Sequence, residues 1–406
     1  MSSQTTSGAA AGHARSRWRI GPAFVTAALV FGPGSITTAS SLGAGFAYDL
    51  VWVPVVATIL MLCFVNIAVR IGLTTDQGSV GTVSARFGRI VGILIALGAL
   101  VVVASFQAGN SVGAGAAAEV LFDTNTAVLA GVFTAVAIAF VWLPSFYRNL
   151  ERVMVPLVLL MLVLFVITAV VSQPDPGALL RGLIPTIPTG SNAVVVAAVA
   201  TTFSVVGAFY QITLVREKGW GPDEFVQARR DASLGTVILG GLSFVIMIAA
   251  AGVLNPAGET VSSPADLAAV LQPIGQWAPV LFAIGLWAAA FTSLVGNATI
   301  GGSMLAGAIG KESGGLDSPI VKVCVTVVMA IGGIVAIVFG GIPIQLILTA
   351  QAVTIFIVPL IGLVMVLLAR HRDRGRLKIS IPQLVLAGLG VLFLILLAIT
   401  YAGKFL

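Results

Sequence analysis

The chain is 406 residues long, with 58% hydrophobic and only 9% charged residues and a mean hydropathy of +1.09. A soluble globular domain carries about 25% charged residues, so that class is excluded and a polytopic membrane protein is expected. The formal charge of +6 and the pI near 9.7 call for no nucleic-acid partner, because the basic residues sort by loop.

Residues 1–18 are rich in Ser, Ala and Gly and read as a disordered cytoplasmic tail. No apolar core precedes a small-residue cleavage site there, so a signal peptide is not expected. Windows of about 20 apolar residues then place spans at 20–46, 50–71, 90–117, 126–144, 153–172, 193–215, 234–254, 277–308, 320–340, 344–369 and 381–402. The predicted class is all-α: eleven transmembrane helices fill residues 19–406 and leave no room for a separate soluble domain.

With the N-terminus cytoplasmic, 19 of the 21 Lys and Arg fall on the inner side, and only Arg181 and Lys404 fall outside. This asymmetry follows the positive-inside rule and predicts a multi-pass protein of the plasma (inner) membrane with its C-terminus outside. The basic run from Arg370 to Lys378 is expected to touch anionic lipid, which makes membrane lipid a partner.

The first span is interrupted by Gly32-Pro33-Gly34-Ser35. Pro33 has no backbone N–H, its ring clashes with the preceding turn, and the flanking glycines resist helical ordering. The helix should therefore unwind there. Backbone groups freed at membrane depth must face protein, water or a bound solute, which is why broken helices mark solute sites in transporters. The half-helix that follows turns its amides and positive dipole end toward this break. Gly32, Gly34, Ser35 and Thr37 are accordingly assigned to a substrate site. Thr38, Ser40 and Ser41 are expected to bond their own i−4 carbonyls and to pack helices.

Five spans later, Thr201 to Ala208 forms a second polar and small interruption, followed by Tyr210 and Gln211. A break is expected near Val206 to Ala208. Spans one to five and six to ten then read as an inverted repeat, with repeat one at about 19–172, repeat two at about 191–369 and an extra helix at about 380–403. The site should lie between the two broken first members.

Cys63 and Cys324 stand alone in separate apolar segments and read as structural thiols. Asn297-Ala298-Thr299 matches a glycosylation acceptor but falls inside a span, so it is discarded. With no catalytic triad, phosphate-binding loop or metal-ligand cluster, neither an enzyme nor a cofactor is expected.

Several short matches then fall in a telling order: Gly21-Pro22, Leu50-Val51-Trp52, Arg70-Ile71-Gly72 with Thr74, Arg230-Asp231, Thr299-Ile300 with Gly302, and Gln351 with Pro359. In sequence and spacing they resemble the Nramp family of divalent-metal transporters from Gly21 to about Leu368. The resemblance implies the LeuT-type fold, with helices one and six broken. Typical members read Asp-Pro-Gly-Asn at the first break and carry a Met-Pro-His type motif at the second. Here Gly32 and Ser35 stand for the acid and the amide, and Val206, Gly207 and Ala208 stand at the second motif. Gln107 and Asn110 occupy the positions of an acidic pair that the family associates with proton transfer.

A dication stripped of water needs compensating charge, since its desolvation far exceeds what neutral dipoles usually return. All 15 acidic residues map to loops or helix ends, so no metal site of the usual kind is expected. With Val206 at the thioether position, nothing selects Mn2+ or Fe2+, and Gln107 and Asn110 do not titrate. Together with Thr201, Ser204, Tyr210 and Gln211 they form a neutral candidate lining. The expected function is an alternating-access carrier whose substrate has moved from transition metals to a small anion or polar neutral solute. One alternative keeps a divalent cation, bound largely hydrated as Mg2+ would be. The other is a non-transporting sensor that kept the fold.

Overall fold

A computed structural model describes residues 31–122, 124–311, 317–370 and 377–403, with the side chains of 144–151 excepted. The tail, the N-terminal half of the first span, Gly21-Pro22, Arg148, Arg372, Arg374, Arg376 and Lys404 lie outside the described residues or side chains. The fold is all-helical. In chain order it comprises α1 (Pro33–Phe46), α2 (Trp52–Gly72), α3 (Ser79–Phe87), α4 (Arg89–Phe122), α5 (Thr126–Trp142), α6 (Pro144–Val171), α7 (Pro176–Arg181) and α8 (Asn192–Thr202). It continues with α9 (Val205–Glu217), α10 (Phe225–Val253), α11 (Pro264–Ala269), α12 (Ala278–Ala308), α13 (Pro319–Phe339), α14 (Pro343–Val353), α15 (Val358–Arg370) and α16 (Ile381–Ala402).

Eight described spans are long and apolar enough to cross a membrane, counting α8 with α9, and the bent pair α14 and α15 makes a ninth. α5 is apolar but shorter, so the count of eleven rests on it and on the first span as well. The break within the tenth span was not read from the sequence. A 3-10 turn at Thr354–Phe356 separates α14 from α15, and the two helices are bent by 43°. Pro359, near the start of α15, cannot donate the N–H that would continue the ladder across the turn.

The core is built on α4 and α12, which pack together more extensively than any other pair. α1 lies against α10 and α8, while α14 bridges α4 and α8. This arrangement brings the start of α1 among four other elements. Gly113 of α4 allows that approach, because a Cβ there would stand 2.2 Å from Cγ of Pro33. Only a residue without a side chain lets the proline ring sit against the helix backbone.

Candidate functional site at the helix breaks

α1 begins at Pro33, inside the predicted interruption, so that Gly34 and Ser35 are helical rather than unwound. Pro33 occupies its first turn, where a missing N–H is harmless. Gly32 precedes it in extended conformation (φ −125°, ψ −177°) with no side-chain cap. Its carbonyl accepts from the N–H groups of Ser35 (3.1 Å) and Ile36 (3.3 Å).

The second break does not fall where predicted. α8 ends at Thr202 and α9 starts at Val205, so the interruption is Phe203-Ser204. Val206, Gly207 and Ala208 are helical instead. The reason is a cap: the Ser204 hydroxyl accepts the Gly207 N–H at 3.4 Å, so Gly207 completes the first turn of a helix rather than breaking one.

Between the two breaks lies a cavity of about 20 Å³, lined by Gly32, Gly34, Ser35, Phe106, Asn110, Thr201, Ser204, Asn297 and Gln351. That is room for about one water-sized group. Six of the residues assigned from sequence meet here: Gly32, Gly34, Ser35, Asn110, Thr201 and Ser204. Seven do not line it. Thr37 is fully buried in α1, Val206 and Ala208 sit in the core of α9, and Tyr210 and Gln211 are buried further along that helix. Gly207 is taken up by the cap.

Gln107, the last of the seven, stands one layer behind. Its Nε2 donates to the Leu294 carbonyl at 2.7 Å, and its Oε1 accepts from Asn110 Nδ2 at 3.1 Å. These bonds fix the Asn110 amide and leave its Oδ1 toward the first break, 2.9 Å from where a Cβ on Gly32 would stand. Ser293 Oγ of α12 comes to 2.7 Å of the same point. The space that a side chain at position 32 needs is therefore already filled.

Asn297, Gln351 and Phe106 escaped the sequence reading as site residues. Gln351 of α14 is 3% exposed, and its Oε1 finds no hydrogen-bond partner among the described residues. A buried acceptor left unpaired carries a desolvation penalty of about 1–3 kcal/mol, and the Nε2 of the same amide is the atom that crowds Gly34. The available signal was a lone amide inside an otherwise apolar span, which in a membrane helix is a functional pointer.

The hydroxyls of α1 also divide differently from expectation. Thr38 bonds the Ser35 carbonyl and meets the Thr201 hydroxyl, each at 3.3 Å. Among the described residues Ser40 and Ser41 make no i−4 bond, and their oxygens are buried without partners.

The donor set of the cavity is neutral. Among the described residues no carboxylate, His or Cys lines it, and no group of three or more such side chains could hold a metal ion. Ser35, Asn110, Thr201, Ser204, Asn297 and Gln351 carry the side-chain oxygens among the lining residues. A larger hollow of about 1090 Å³, between the end of α4, α11 and the start of α12, contains Glu119 but shares no lining residue with the site.

A helix that starts at Gly32-Pro33 and a span parted at Phe203-Ser204, facing each other across a small polar cavity in a bundle of apolar spans, are the arrangement of a LeuT-type membrane transporter. Solved structures agree on the fold. A manganese transporter from Eremococcus coleocola superposes with a TM-score of 0.70 at 19% identity, covering 93% of this chain and 84% of that one. The transporter MhsT, crystallised with L-phenylalanine, gives 0.62 at 16% identity over 93% and 98% of the two chains.

The chain belongs to the Nramp family: the family model described as natural resistance-associated macrophage protein-like matches residues 23–402. Curated relatives include the divalent metal cation transporter MntH of Mycobacterium tuberculosis strain H37Rv, 28% identical over 300 residues, 71% of this chain and 70% of the relative. MntH of Yersinia pestis strain Pestoides F is 26% identical over 285 residues, 68% and 69% of the two chains.

Proposed function

We propose that this protein carries a divalent metal cation across the membrane by alternating access, through a site made of neutral oxygens. The relatives' names speak for a metal ion, and this reading replaces the expected shift to a small anion or neutral solute, which the comparisons do not support. One observation carries it at the site itself: Gln351, whose buried Oε1 has no hydrogen-bond partner among the described residues, lines the same small cavity as Ser35 and Asn110, beside Gly32.

All-oxygen donors without thioether or thiolate favour hard ions such as Mg2+ over softer ones. The fully hydrated ion of the sequence reading needs a wider form of the site, because a cavity of about 20 Å³ holds only one water-sized group. In the closed form, protein amide and carbonyl oxygens take over from shed waters. With no carboxylate among them, affinity is weak, with half-saturation on the order of 1 mM, since ligand charge sets the strength of such sites. The charge pattern supports a cytoplasmic N-terminus and an outer C-terminus. The site opens and closes as one bundle of helices moves against the other, the repeats at about 19–172 and 191–369 each contributing to it.

The test is Mg2+ and Mn2+ flux into proteoliposomes, with a metal-transporting Nramp protein reconstituted alongside. Saturable entry, reduced about tenfold by Gln351→Leu while the protein stays folded, is the expected result. No entry of either ion beside a working control overturns the cation reading and returns the anion or neutral solute to first place.

A further inference from the structure

At the basic end of the bundle, Arg70 and Arg229 lie on the packed helices α2 and α10, and neither makes an ion pair among the described residues. Arg70, in the last turn of α2, lies 4.5 Å above the ring of Phe225 at the start of α10. Arg229 is one helical turn further along α10, on the same face as Phe225, which puts it on the side of α10 that Arg70 covers. The segment leading into α16 completes the corner. Its Lys378 carbonyl accepts from Arg70 Nη1 at 2.9 Å, and Lys378 itself is exposed.

Arg70 makes no ion pair among the described residues, and its Nε is buried without a hydrogen-bond partner. The adjacent cation shows the contrast. Lys218 sits 4.5 Å over Trp220 and is paired with Asp231 at 2.7 Å, so its charge is met within the protein.

Two like charges held side by side repel by an amount that grows as solvent is excluded. Folding tolerates this where an anion arrives to bridge them. Arginine forks suit the tetrahedral oxygens of a phosphate better than a lysine point charge does. Arg70 and Phe225 both lie at ends of apolar spans, the level at which headgroups stand.

We propose that Arg70, Arg229 and the Lys378 segment form a binding site for a phosphate-bearing anion, supplied by the headgroup of an anionic phospholipid. The site is separate from the helix breaks and does not depend on which solute the protein carries.

Thermal unfolding of the purified full chain tests it, with phosphatidylglycerol, phosphatidylcholine and inorganic phosphate as the probes. Phosphatidylglycerol should raise the midpoint and phosphatidylcholine should not. Arg229→Gln, at an exposed position, should weaken the apparent phosphatidylglycerol affinity about fivefold. Lys322→Gln, on α13, removes the same charge elsewhere and should leave that affinity unchanged. Arg70→Lys keeps the charge but loses the fork, and should fall between wild type and Arg229→Gln. If inorganic phosphate reproduces the whole shift and the lipid adds nothing, the site stands and its anion is soluble. Equal shifts from the two lipids in wild type, or equal losses in Arg229→Gln and Lys322→Gln, overturn the proposal.

Discussion

The start of α1 at the first break and the parting of α8 from α9 at the second are set by different means. At Gly32-Pro33 the backbone is crowded by other helices: Gly113 of α4 against the proline ring, Ser293 of α12 and Asn110 of α4 against Gly32, and the Gln351 amide against Gly34. No side chain caps it. At Phe203-Ser204 the chain caps itself through the Ser204 hydroxyl, and neither residue of the break is Gly or Pro. The first break is therefore a tertiary structure imposed on a permissive sequence, and the second is a local one.

The largest effect expected from this difference comes from Gly113→Ala. Its Cβ would meet Cβ and Cγ of Pro33 at 2.4 and 2.2 Å, atoms of a rigid ring that cannot swing away. Overpacking of this kind costs about 1–3 kcal/mol, and because it pushes on the start of α1 it should abolish most solute flux as well. Gly207→Ala, at the other break, meets only the Ser204 hydroxyl at 3.0 Å and should leave flux within about twofold of wild type, since strain at one flexible hydroxyl is small. Thermal unfolding paired with flux reads both. Equal damage from the two substitutions would erase the contrast.

Next in size is the attempt to restore a carboxylate. Gly32→Asp alone should express poorly and gain little metal affinity, because Ser293 Oγ and Asn110 Oδ1 already occupy the approach to its Cβ. Gly32→Asp with Ser293→Ala removes the nearest of these atoms. The pair should bind Mn2+ at least about tenfold more tightly than wild type, as ligand charge dictates, by calorimetry. A single Gly32→Asp that binds as well as the pair would show that the first break yields more easily than its crowding implies.

The same contrast explains what could be read from the sequence. A Pro between two Gly inside an apolar run is visible without neighbours, so the sequence locates the interruption, although Pro33, Gly34 and Ser35 are helical and Gly32 alone of the four is extended. The second break carried no such mark. Gly207 attracted the assignment, whereas the chain parts at Phe203-Ser204 because a serine hydroxyl can replace a helical carbonyl there. Thr201 and Ser204 were placed at the site, but Val206, Tyr210 and Gln211 followed the misplaced break into the core of α9. Gln107 was assigned as lining and turned out to be the residue that orients Asn110. Its saturation by Leu294 is a long-range contact that no local pattern announces. Asn297 and Gln351 required knowing that α12 and α14 reach the start of α1. The bend at Thr354–Phe356 required weighing Pro359 against an otherwise continuous apolar run.

A smaller effect is expected from Ser204→Ala. Loss of an N-cap costs about 0.5–2 kcal/mol, and the bond at 3.4 Å is long, which places this one at the low end. Thermal unfolding should fall slightly, with flux retained. A collapse of flux would mean that Ser204 contacts the solute rather than only closing α9.

The smallest predicted effect is on pH dependence, and it follows from both breaks being neutral. None of the nine residues lining the cavity titrates, so neither break can gain or lose charge near neutrality. The perturbed groups outside the spans also lie beyond that range. Asp266 on α11 is partly buried, which raises its pKa, but hydrogen bonds from Ser262 and Ser263 outweigh burial and hold it below the usual carboxylate value. Its contribution to stability is present above the ordinary carboxylate range and is lost only as pH falls through the depressed value. Burial, and then the charge of Asp175, raise the Tyr48 phenol, whose contribution is present below its ordinary value and is lost only as pH climbs through the raised one. Flux measured with equal pH on both faces should therefore stay constant within about twofold between roughly pH 5.5 and 7.5, the window in which a histidine-controlled site would switch. A steeper profile would show that a titrating group reaches the pathway in another conformation, and it would separate this site from the neutral chemistry that both breaks present.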